Sequence, residues 1–212
     1  MSGCCARDYE KVFGLKTADR DARRFRRRGL RGSAKTLAEL AGDVRGASVL
    51  EVGGGVGGIE IELLEAGAER ATNVELAATY EQAATELLDE RGLTERVERR
   101  IGDFVEQANA IPPHDVVVMH RVVCCYPDVD TLVGAGAKHA RRRMVLTYPQ
   151  ERRLVRLALA AMNAVMRVGG SSFQVYVHPF DRIARAASGM ELVERRRSGF
   201  VWESASFATS TR

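Results

Sequence analysis

Short, mostly apolar segments alternate along the chain with longer stretches in which apolar residues recur every three or four positions. The short segments that read as strands are 49–52, 72–76, 97–101, 115–119 and 144–148. The stretches with helical periodicity are 58–66, 79–91, 128–140 and 150–167. Strands that alternate with helices of this length predict an α/β fold with a parallel, doubly wound sheet.

The end of the chain follows a different pattern. Two extended stretches, 190–195 and 200–207, are joined by 196–199, in which Gly199 supplies the turn. This pattern predicts a final β-hairpin. Between the long helix and the hairpin, 171–180 alternates apolar and polar residues, so we expect an insertion around 169–187 that covers a substrate.

Composition narrows the class of protein. The chain has 212 residues, of which 45% are hydrophobic, which suits one globular domain. It has no apolar run long enough to span a membrane and no signal-peptide layout at its start, so we expect a cytoplasmic protein. The cysteines form two adjacent pairs, Cys4–Cys5 and Cys124–Cys125, and we interpret them as reduced thiols. The sequence carries no signal for an oligomeric state.

Arginine dominates the basic residues, and the net charge is +4. The densest run contains Arg20, Arg23, Arg24, Arg26, Arg27, Arg28 and Arg31. Such a run is either a nucleic-acid patch or a solvated helix face. In the second case Asp19 and Asp21 would stabilise the helix near its N-terminal end. Only Phe25 interleaves an aromatic ring for base stacking, so we do not expect nucleic acid as the partner.

Five glycines follow the first strand directly, and a helical pattern comes next. Glycine allows a sharp turn and a close ligand approach, and a helix start offers unpaired N–H groups, so this is a nucleotide-cofactor site. Two patterns fit the same residues. Gly53-x-Gly55-x-x-Gly58, with Glu75 at the end of the next strand, matches the dinucleotide fingerprint. Glu51-x-Gly53-x-Gly55-x-Gly57 places an acid before three alternating glycines.

The second pattern resembles the first motif of the class I S-adenosylmethionine-dependent methyltransferases. After the third strand, Gly102-Asp103-Phe104 resembles the adenine-binding turn of that family. The fourth strand begins with Asp115 and ends in His120-Arg121, as family members often do at the methyl-transfer face. The length favours the same interpretation, because a nicotinamide dehydrogenase usually adds a substrate domain.

The resemblance extends over roughly 34–207. It implies a Rossmann-like sheet of seven strands with a C-terminal antiparallel hairpin, S-adenosylmethionine as cofactor with S-adenosylhomocysteine as product, and a small-molecule acceptor. The layout is distantly similar to magnesium-protoporphyrin O-methyltransferases. We therefore divide the chain into a basic helical extension, 1–33, which is a candidate lid, and a methyltransferase domain, 34–212.

The resemblance also assigns cofactor contacts. They are Glu51, Gly53, Gly54, Gly55, Gly57, Glu75, Leu76, Gly102, Asp103, Phe104 and His120. Glu75 would accept hydrogen bonds from both ribose hydroxyls, and its alternative is a solvated acid at a strand end. Asp103 would accept one from the adenine amino group, and its alternative, a helix N-cap, is compatible with that role.

His120 is the candidate base, because an ordinary histidine pKa near ~6.5 suits proton abstraction at neutral pH. Its alternative is a hydrogen-bonded histidine that shapes the pocket. Tyr126 and His178 are lesser catalytic candidates. The candidate substrate contacts are Tyr9, Phe13, Arg121, Cys124, Cys125, Tyr148 and Tyr176.

The cysteine pairs leave an alternative open. Thiolates prefer soft ions, so a thiol or metalloid acceptor is one hypothesis. Adjacent cysteines lack the usual spacing of zinc ligands, and free cysteines pack well as small apolar side chains, so no metal site is predicted. A nicotinamide enzyme and a non-catalytic module that binds cofactor or RNA are the remaining alternatives.

Overall fold

The computed structural model describes residue 9 and residues 12–210. Seven strands form one sheet in the order β3-β2-β1-β4-β5-β7-β6. Strands β1 to β5 run parallel, and β7 is antiparallel to both of its neighbours. The strands are β1 (Ser48–Val52), β2 (Arg70–Glu75), β3 (Val97–Ile101), β4 (His114–Met119), β5 (Ala140–Pro149), β6 (Met190–Ser198) and β7 (Trp202–Thr209).

Helices lie along the chain between these strands and before the first of them. They are α1 (Leu15–Arg28), α2 (Ser33–Ala41), α3 (Gly58–Glu65), α4 (Glu81–Arg91), α5 (Phe104–Gln107), α6 (Val129–His139), α7 (Arg153–Val168) and α8 (Phe180–Ala186). Among the described residues, none of the helices has both the length and the apolar character needed to cross a lipid bilayer.

The central strands of the sheet, such as β1, β2 and β4, are buried on both faces, whereas the edge strands β3 and β6 are half-buried or exposed. Val49 belongs to a core that contains residues of α1 to α4, and the next residue, Leu50, belongs to a second core with residues of α5, α6 and α8. Alternate side chains of a strand point to opposite faces, which explains this division. Burial on both faces is why the parallel strands read as short apolar segments.

The predicted seven-stranded sheet and terminal hairpin are confirmed. Several boundaries differ by a few residues. Strand β5 begins at Ala140 instead of 144, because Ala140 already pairs with His114 of β4. The hairpin turn is 199–201 rather than 196–199, since Ser198 already pairs with Trp202. Helix α7 begins at Arg153 rather than at 150.

The segment expected to be an insertion contributes to the core. Residues 171–179 form neither helix nor strand, but 180–186 form α8, in which Ile183 is fully buried. Phe180 stacks on Tyr148 at 5.4 Å between ring centroids. The sequence pattern alone missed α8 because seven residues hold too few turns to show a helical period.

Helix α7 is amphipathic, as its periodicity predicts, but its apolar side faces outward. Leu154, Leu157 and Val165 are 66%, 68% and 72% exposed. Val155 is its one fully buried side chain.

Candidate active site

The glycine loop begins where β1 ends, at the carboxyl edge of the parallel strands. Gly53 has φ +65°, and a Cβ there would lie 2.5 Å from Val122 Cγ2. Only glycine accepts this backbone conformation and this close approach together. The loop then enters α3 at Gly58, so the N–H groups of the first helical turn point toward the same edge.

Glu75, the last residue of β2, lies beside this loop. Its Oε2 accepts a hydrogen bond from Gly55 N at 2.8 Å, and its Oε1 accepts one from Ala77 N at 2.9 Å. Burial raises the pKa of Glu75, against the lowering effect of these two backbone donors. Each carboxylate oxygen has a second lone pair, so both still have acceptor capacity toward the cavity.

A polar cluster is buried beneath the loop. Glu51 Oε2 accepts from the backbone N–H of Glu60 at 2.9 Å, and Asn73 Nδ2 donates to Glu60 Oε2 at 2.9 Å. Arg99 Nη2 donates to Gly55 O at 3.2 Å. The arginine also pairs with Glu81 and lies 3.5 Å from Glu60 Oε1.

The environment of this cluster favours protonated carboxyl groups. Burial raises the pKa of Glu60 to about 7, although Arg99 opposes that shift. The pKa of Glu51 is raised by burial and by the charge of Glu60. Because these side chains bond the loop and the start of α3, we infer that they hold the glycine loop in place.

Asp103 follows β3 at the same edge. Its Oδ1 accepts from Val105 N at 2.8 Å, which is the helix N-cap that the sequence allowed. Tyr126 donates its hydroxyl to Asp103 Oδ2 at 3.3 Å. Burial and the nearby aspartate raise the pKa of Tyr126, so its hydroxyl stays protonated near neutral pH.

His120 directly follows β4 and lies beside Ser33, the first residue of α2. Its Nε2 is 3.0 Å from Ser33 Oγ, and Ser33 Oγ accepts a hydrogen bond from Arg121 Nη2 at 3.2 Å. Burial lowers the pKa of His120 to about 3, and the charge of Arg121 adds to the effect. The ordinary pKa assumed from the sequence is therefore wrong for this site, because desolvation disfavours the charged ring.

The adjacent thiols of Cys124 and Cys125 lie 3.6 Å apart. Both donate to Arg121 O, at 3.2 and 3.4 Å. Cys124 is buried and Cys125 is partly exposed. The hydrogen bond from Cys124 lowers the pKa of Cys125, and the hydroxyl of Tyr9 contributes to the same shift.

Aromatic rings cover the crevice. Tyr9 stacks on Phe13 at 4.7 Å between centroids, and both rings meet Phe173 edge-on at 5.4 and 5.7 Å. Phe13 is also tied to the turn after β2, because Thr79 donates its hydroxyl to Phe13 O. The structure thus brings the N-terminal aromatic residues and the 171–179 segment to the same crevice.

Three arginines and an indole form another wall. The Arg121 guanidinium lies 4.5 Å from the centre of the Trp202 ring. Arg24 and Arg31, from the arginine-rich run, also line the cavity. None of the three forms an ion pair with a carboxylate of a described residue, whereas Arg26 of the same run pairs with Glu90 at 2.6 Å.

These walls enclose a cavity of about 580 Å³. Predicted site residues that line it are Tyr9, Phe13, Glu51, Gly53, Gly54, Gly55, Glu75, Leu76, Gly102, Asp103, Phe104, His120, Arg121, Cys124, Cys125 and Tyr126. Gly57 does not line it but forms the N-cap of α3. Lining residues that the sequence did not single out include Tyr80, Leu159, Met162 and Trp202, whereas Phe173 and Val175 come from the segment that was expected to cover a substrate.

Three predicted residues lie away from the cavity lining. Tyr148 is fully buried and donates its hydroxyl to Glu203 at 3.1 Å. His178 bonds Tyr126 O through Nε2 at 2.9 Å, and Tyr176 stacks on His178. These aromatic residues pack the scaffold, a role that a sequence pattern does not separate from substrate contact.

Two further predictions concern the cysteines. Cys4 and Cys5 lie outside the described residues. Within the part of the chain that the structure describes, no group of three or more histidine, cysteine or acidic side chains is arranged to hold a metal ion.

The fold is shared with solved structures of low sequence identity. Magnesium protoporphyrin IX methyltransferase from Synechocystis PCC 6803, solved with bound S-adenosylmethionine, is 15% identical, and the match covers 96% of this chain and 90% of that chain with a TM-score of 0.66. An O-methyltransferase family protein from Burkholderia thailandensis is 16% identical over 97% of this chain and 62% of that chain, with a TM-score of 0.74. This chain thus spans less than two thirds of the Burkholderia protein.

A third neighbour has a different activity. The [4+2]-cyclase SpnF is 14% identical over 83% of this chain and 80% of that chain, with a TM-score of 0.65. No protein-family model and no curated protein sequence matches this chain. The fold is that of the class I S-adenosylmethionine-dependent methyltransferases, and the chemistry has to be argued from the site.

Proposed function

We propose that this protein is an S-adenosylmethionine-dependent methyltransferase that acts on a small-molecule acceptor. The observation that carries the proposal is the Glu75 carboxylate, which is bonded to Gly55 N and has acceptor capacity left at a strand end. In doubly wound folds a carboxylate at this place binds ribose hydroxyls. A volume of about 580 Å³ has room for a cofactor and an acceptor together.

The remaining cofactor contacts follow from the same edge. Asp103 would accept a hydrogen bond from the adenine amino group while it also caps α5, and Leu76 and Phe104 would pack on the adenine ring. The glycine loop would hold the amino-acid part through backbone groups. When bound there, S-adenosylmethionine supplies an electrophilic methyl group, and an in-line attack by the acceptor moves the C–S bonding pair onto sulfur.

The protein's own part is mostly positioning. With a pKa of about 3, the His120 ring is uncharged at neutral pH. We therefore assign it the role of orienting neighbouring groups rather than of taking up a proton. In the tautomer in which Ser33 donates to Nε2, the ring N–H at Nδ1 is a donor. Tyr126, held protonated next to Asp103, donates its one O–H to that carboxylate and so orients it at the cavity.

The lining of the cavity supports an acceptor with an apolar, planar body and an anionic group. Tyr9, Phe13 and Phe173 offer ring faces and edges to the body. Arg24, Arg31 and Arg121 offer positive charge without a described carboxylate partner. A carboxylate oxygen as nucleophile fits this charge, and it needs no general base because it is already ionised at neutral pH, whereas a phenol would first have to lose its proton.

Calorimetric titration with S-adenosylhomocysteine, with NADH as the parallel control, tests the cofactor. We expect micromolar binding of the first ligand alone. Binding of NADH instead would replace the proposal with a nicotinamide enzyme. Absence of binding by either ligand would favour a module without methyl-transfer activity.

The acceptor class is tested by methyl transfer from labelled S-adenosylmethionine to panels of aromatic carboxylic acids, phenols and amines. Arg121→Gln should raise KM for anionic acceptors more than it lowers the affinity for S-adenosylhomocysteine. Arg23→Gln, which changes an exposed arginine of the arginine-rich run that does not line the cavity, is the control. Turnover of amines alone would contradict the anionic-acceptor assignment.

A second candidate function follows from the thiol pair. Cys124 and Cys125 present two sulfurs 3.6 Å apart at the cavity wall, which suits a trivalent arsenical that exchanges As–O for As–S bonds and releases water. The lone pair on arsenic would then attack the methyl carbon. Methylated arsenic formed from arsenite, and lost in Cys125→Ser, would support this function; its absence would leave the pair as packing residues.

That nucleic acid is not the partner, and that the location is cytoplasmic, remain predictions. Arg26 is engaged by Glu90, and Arg24 and Arg31 turn toward the cavity, so the run is not a continuous basic surface. An RNA-binding module would bind RNA at low salt and lose it as salt rises. Cell fractionation tests the location.

A further inference from the structure

Helix α7 presents an unusually apolar outer surface. Val168 is 91% exposed, and Leu154, Leu157 and Val165 are each more than 60% exposed. A surface helix normally turns its apolar stripe toward the core. Here the core side is narrow: Val155 is buried, and Asn163 bonds the backbone of Val175 through both atoms of its amide.

The exposed apolar residues form one continuous face. With about 100° of rotation per residue, the outward arc of roughly 120° holds apolar side chains only. The residues of this arc, which we call the outer face, are Leu154, Leu157, Ala158, Ala161, Ala164, Val165 and Val168. Arg153, Arg156 and Arg167 lie along one flank of it, and α7 contains no acidic residue.

The start of the helix adds to this surface. Phe200, in the turn between β6 and β7, is 54% exposed, and the Arg152 guanidinium lies 5.1 Å from the centre of its ring. Gln150 fixes that turn, because its side-chain amide donates to Gly199 O at 3.0 Å. An aromatic ring and a fourth arginine therefore stand next to the first turn of α7.

We propose that the outer face of α7 docks on an anionic lipid surface, with the helix lying in the plane of the membrane interface. Apolar side chains on one side and arginines along the flank are the features by which such helices bind. The arginines would contact lipid phosphates or carboxylates while the outer face enters the acyl boundary.

Charge decides between a lipid surface and a second copy of the chain. An antiparallel twofold pairing of two outer faces would bring the arginine flanks together, and in any twofold pairing α7 offers no acid to match them. An anionic surface instead neutralises every arginine on the flank. The docking site therefore complements negative charge from outside the protein.

The position of α7 gives this docking a consequence that rests on the proposed function. Leu159 and Met162, on the inner side of the same helix, line the cavity. The helix thus lies between the proposed membrane surface and the candidate active site. An apolar acceptor dissolved in the lipid would need to pass only this helix to reach the cavity.

Vesicle flotation of the purified full chain tests the docking without any substrate. We expect the protein to float with vesicles that contain phosphatidylglycerol, to float much less with phosphatidylcholine alone, and to lose binding as salt rises. The double variant Leu157→Gln/Val165→Gln should lower the lipid partition coefficient by more than about tenfold. Leu192→Gln/Val193→Gln, which changes exposed apolar residues on β6, is the matched control.

The arginine flank has its own test. Arg153→Gln/Arg156→Gln should lower partitioning to anionic vesicles by roughly 25-fold, at about fivefold for each charge, and leave binding to neutral vesicles unchanged. Arg141→Gln/Arg142→Gln, exposed on β5, is the control. The test variants change only exposed side chains of α7, and the controls change exposed side chains of β5 and β6. Circular dichroism should therefore report an intact fold for all of them.

Three results would overturn the docking proposal. One is equal flotation of the wild-type protein and the Leu157→Gln/Val165→Gln variant, and another is no flotation with anionic vesicles at low salt. The third is a dimer in sedimentation equilibrium that the same double variant dissociates, since the outer face would then belong to a second copy. Binding of S-adenosylhomocysteine is measured in parallel, so that failure of the proposed function is recognised separately.

Discussion

The carboxylate of Glu75 and the backbone N–H of Gly55 are joined by a hydrogen bond of 2.8 Å. These residues come from neighbouring strand ends, twenty positions apart in the sequence. The bond ties the glycine loop to the acid that would bind ribose. A change at Glu75 therefore affects both a ligand contact and the shape of the loop.

We predict that Glu75→Ala lowers the affinity for S-adenosylhomocysteine by roughly 30- to 1000-fold, because two charge-assisted ribose hydrogen bonds are worth about 2–4 kcal/mol. Calorimetric titration measures the change. Glu95→Gln, an exposed glutamate away from the cavity, is the control. A loss of less than about threefold would show that Glu75 is not the ribose ligand.

A second prediction concerns the pH dependence of methyl transfer. Because burial lowers the pKa of His120 to about 3, the ring stays neutral from acid to alkaline pH, and kcat/KM should show no limb near pH 6.5 that belongs to it. His120→Asn, which keeps a neutral hydrogen-bonding group beside Ser33, should retain most of the activity. A rate limb near neutrality that disappears in this variant would restore His120 as the base.

The buried Glu60 predicts how stability changes with pH. Its pKa in the folded protein is about 7, above its ordinary 4.5, so the folded state holds the proton more tightly than the unfolded chain. The stabilising contribution is complete below pH 4.5 and is lost as pH rises to about 7, by about 3 kcal/mol at most.

Glu60→Gln removes this titration, and the free energy of unfolding should then decline less between pH 4.5 and 7. Urea unfolding at a series of pH values measures it, with Glu95→Gln as the control. Parallel curves for Glu60→Gln and wild-type protein would mean that Glu60 is ionised throughout.

Packing around the loop gives a fourth prediction. A Cβ at Gly54 would lie 2.3 Å from Asn73 Nδ2 and 2.9 Å from Glu51 Cδ, both buried side chains. Gly54→Ala should therefore lower the free energy of unfolding by about 1–3 kcal/mol and weaken S-adenosylhomocysteine binding as well.

Gly134→Ala, inside helix α6, is the matched control. A Cβ at Gly134 would lie 3.6 Å from Ala186 O, which is an ordinary contact. Helix propensity should make this variant equally stable or up to about 1 kcal/mol more stable. Equal stability of Gly54→Ala and wild-type protein would show that the polar cluster moves aside at little cost.

Local patterns in the sequence determined the scaffold. The alternation of strands and helices, the glycines after β1 and the positions of Glu75 and Asp103 are properties of neighbouring residues, so the fold class and the edge of the sheet that holds the site followed from them. Strand ends of a parallel sheet meet at one edge, which is why residues far apart in sequence were placed together correctly.

Tertiary structure decided what depends on burial and on distant partners. The pKa of His120 is lowered by desolvation and by the charge of Arg121. Tyr148 and His178 lie away from the cavity because of how they pack. A local sequence pattern encodes neither the desolvation nor the packing. The periodicity of α7 gave the helix but not which side it buries. That choice depends on what lies on either side of the helix, and only the folded chain supplies it.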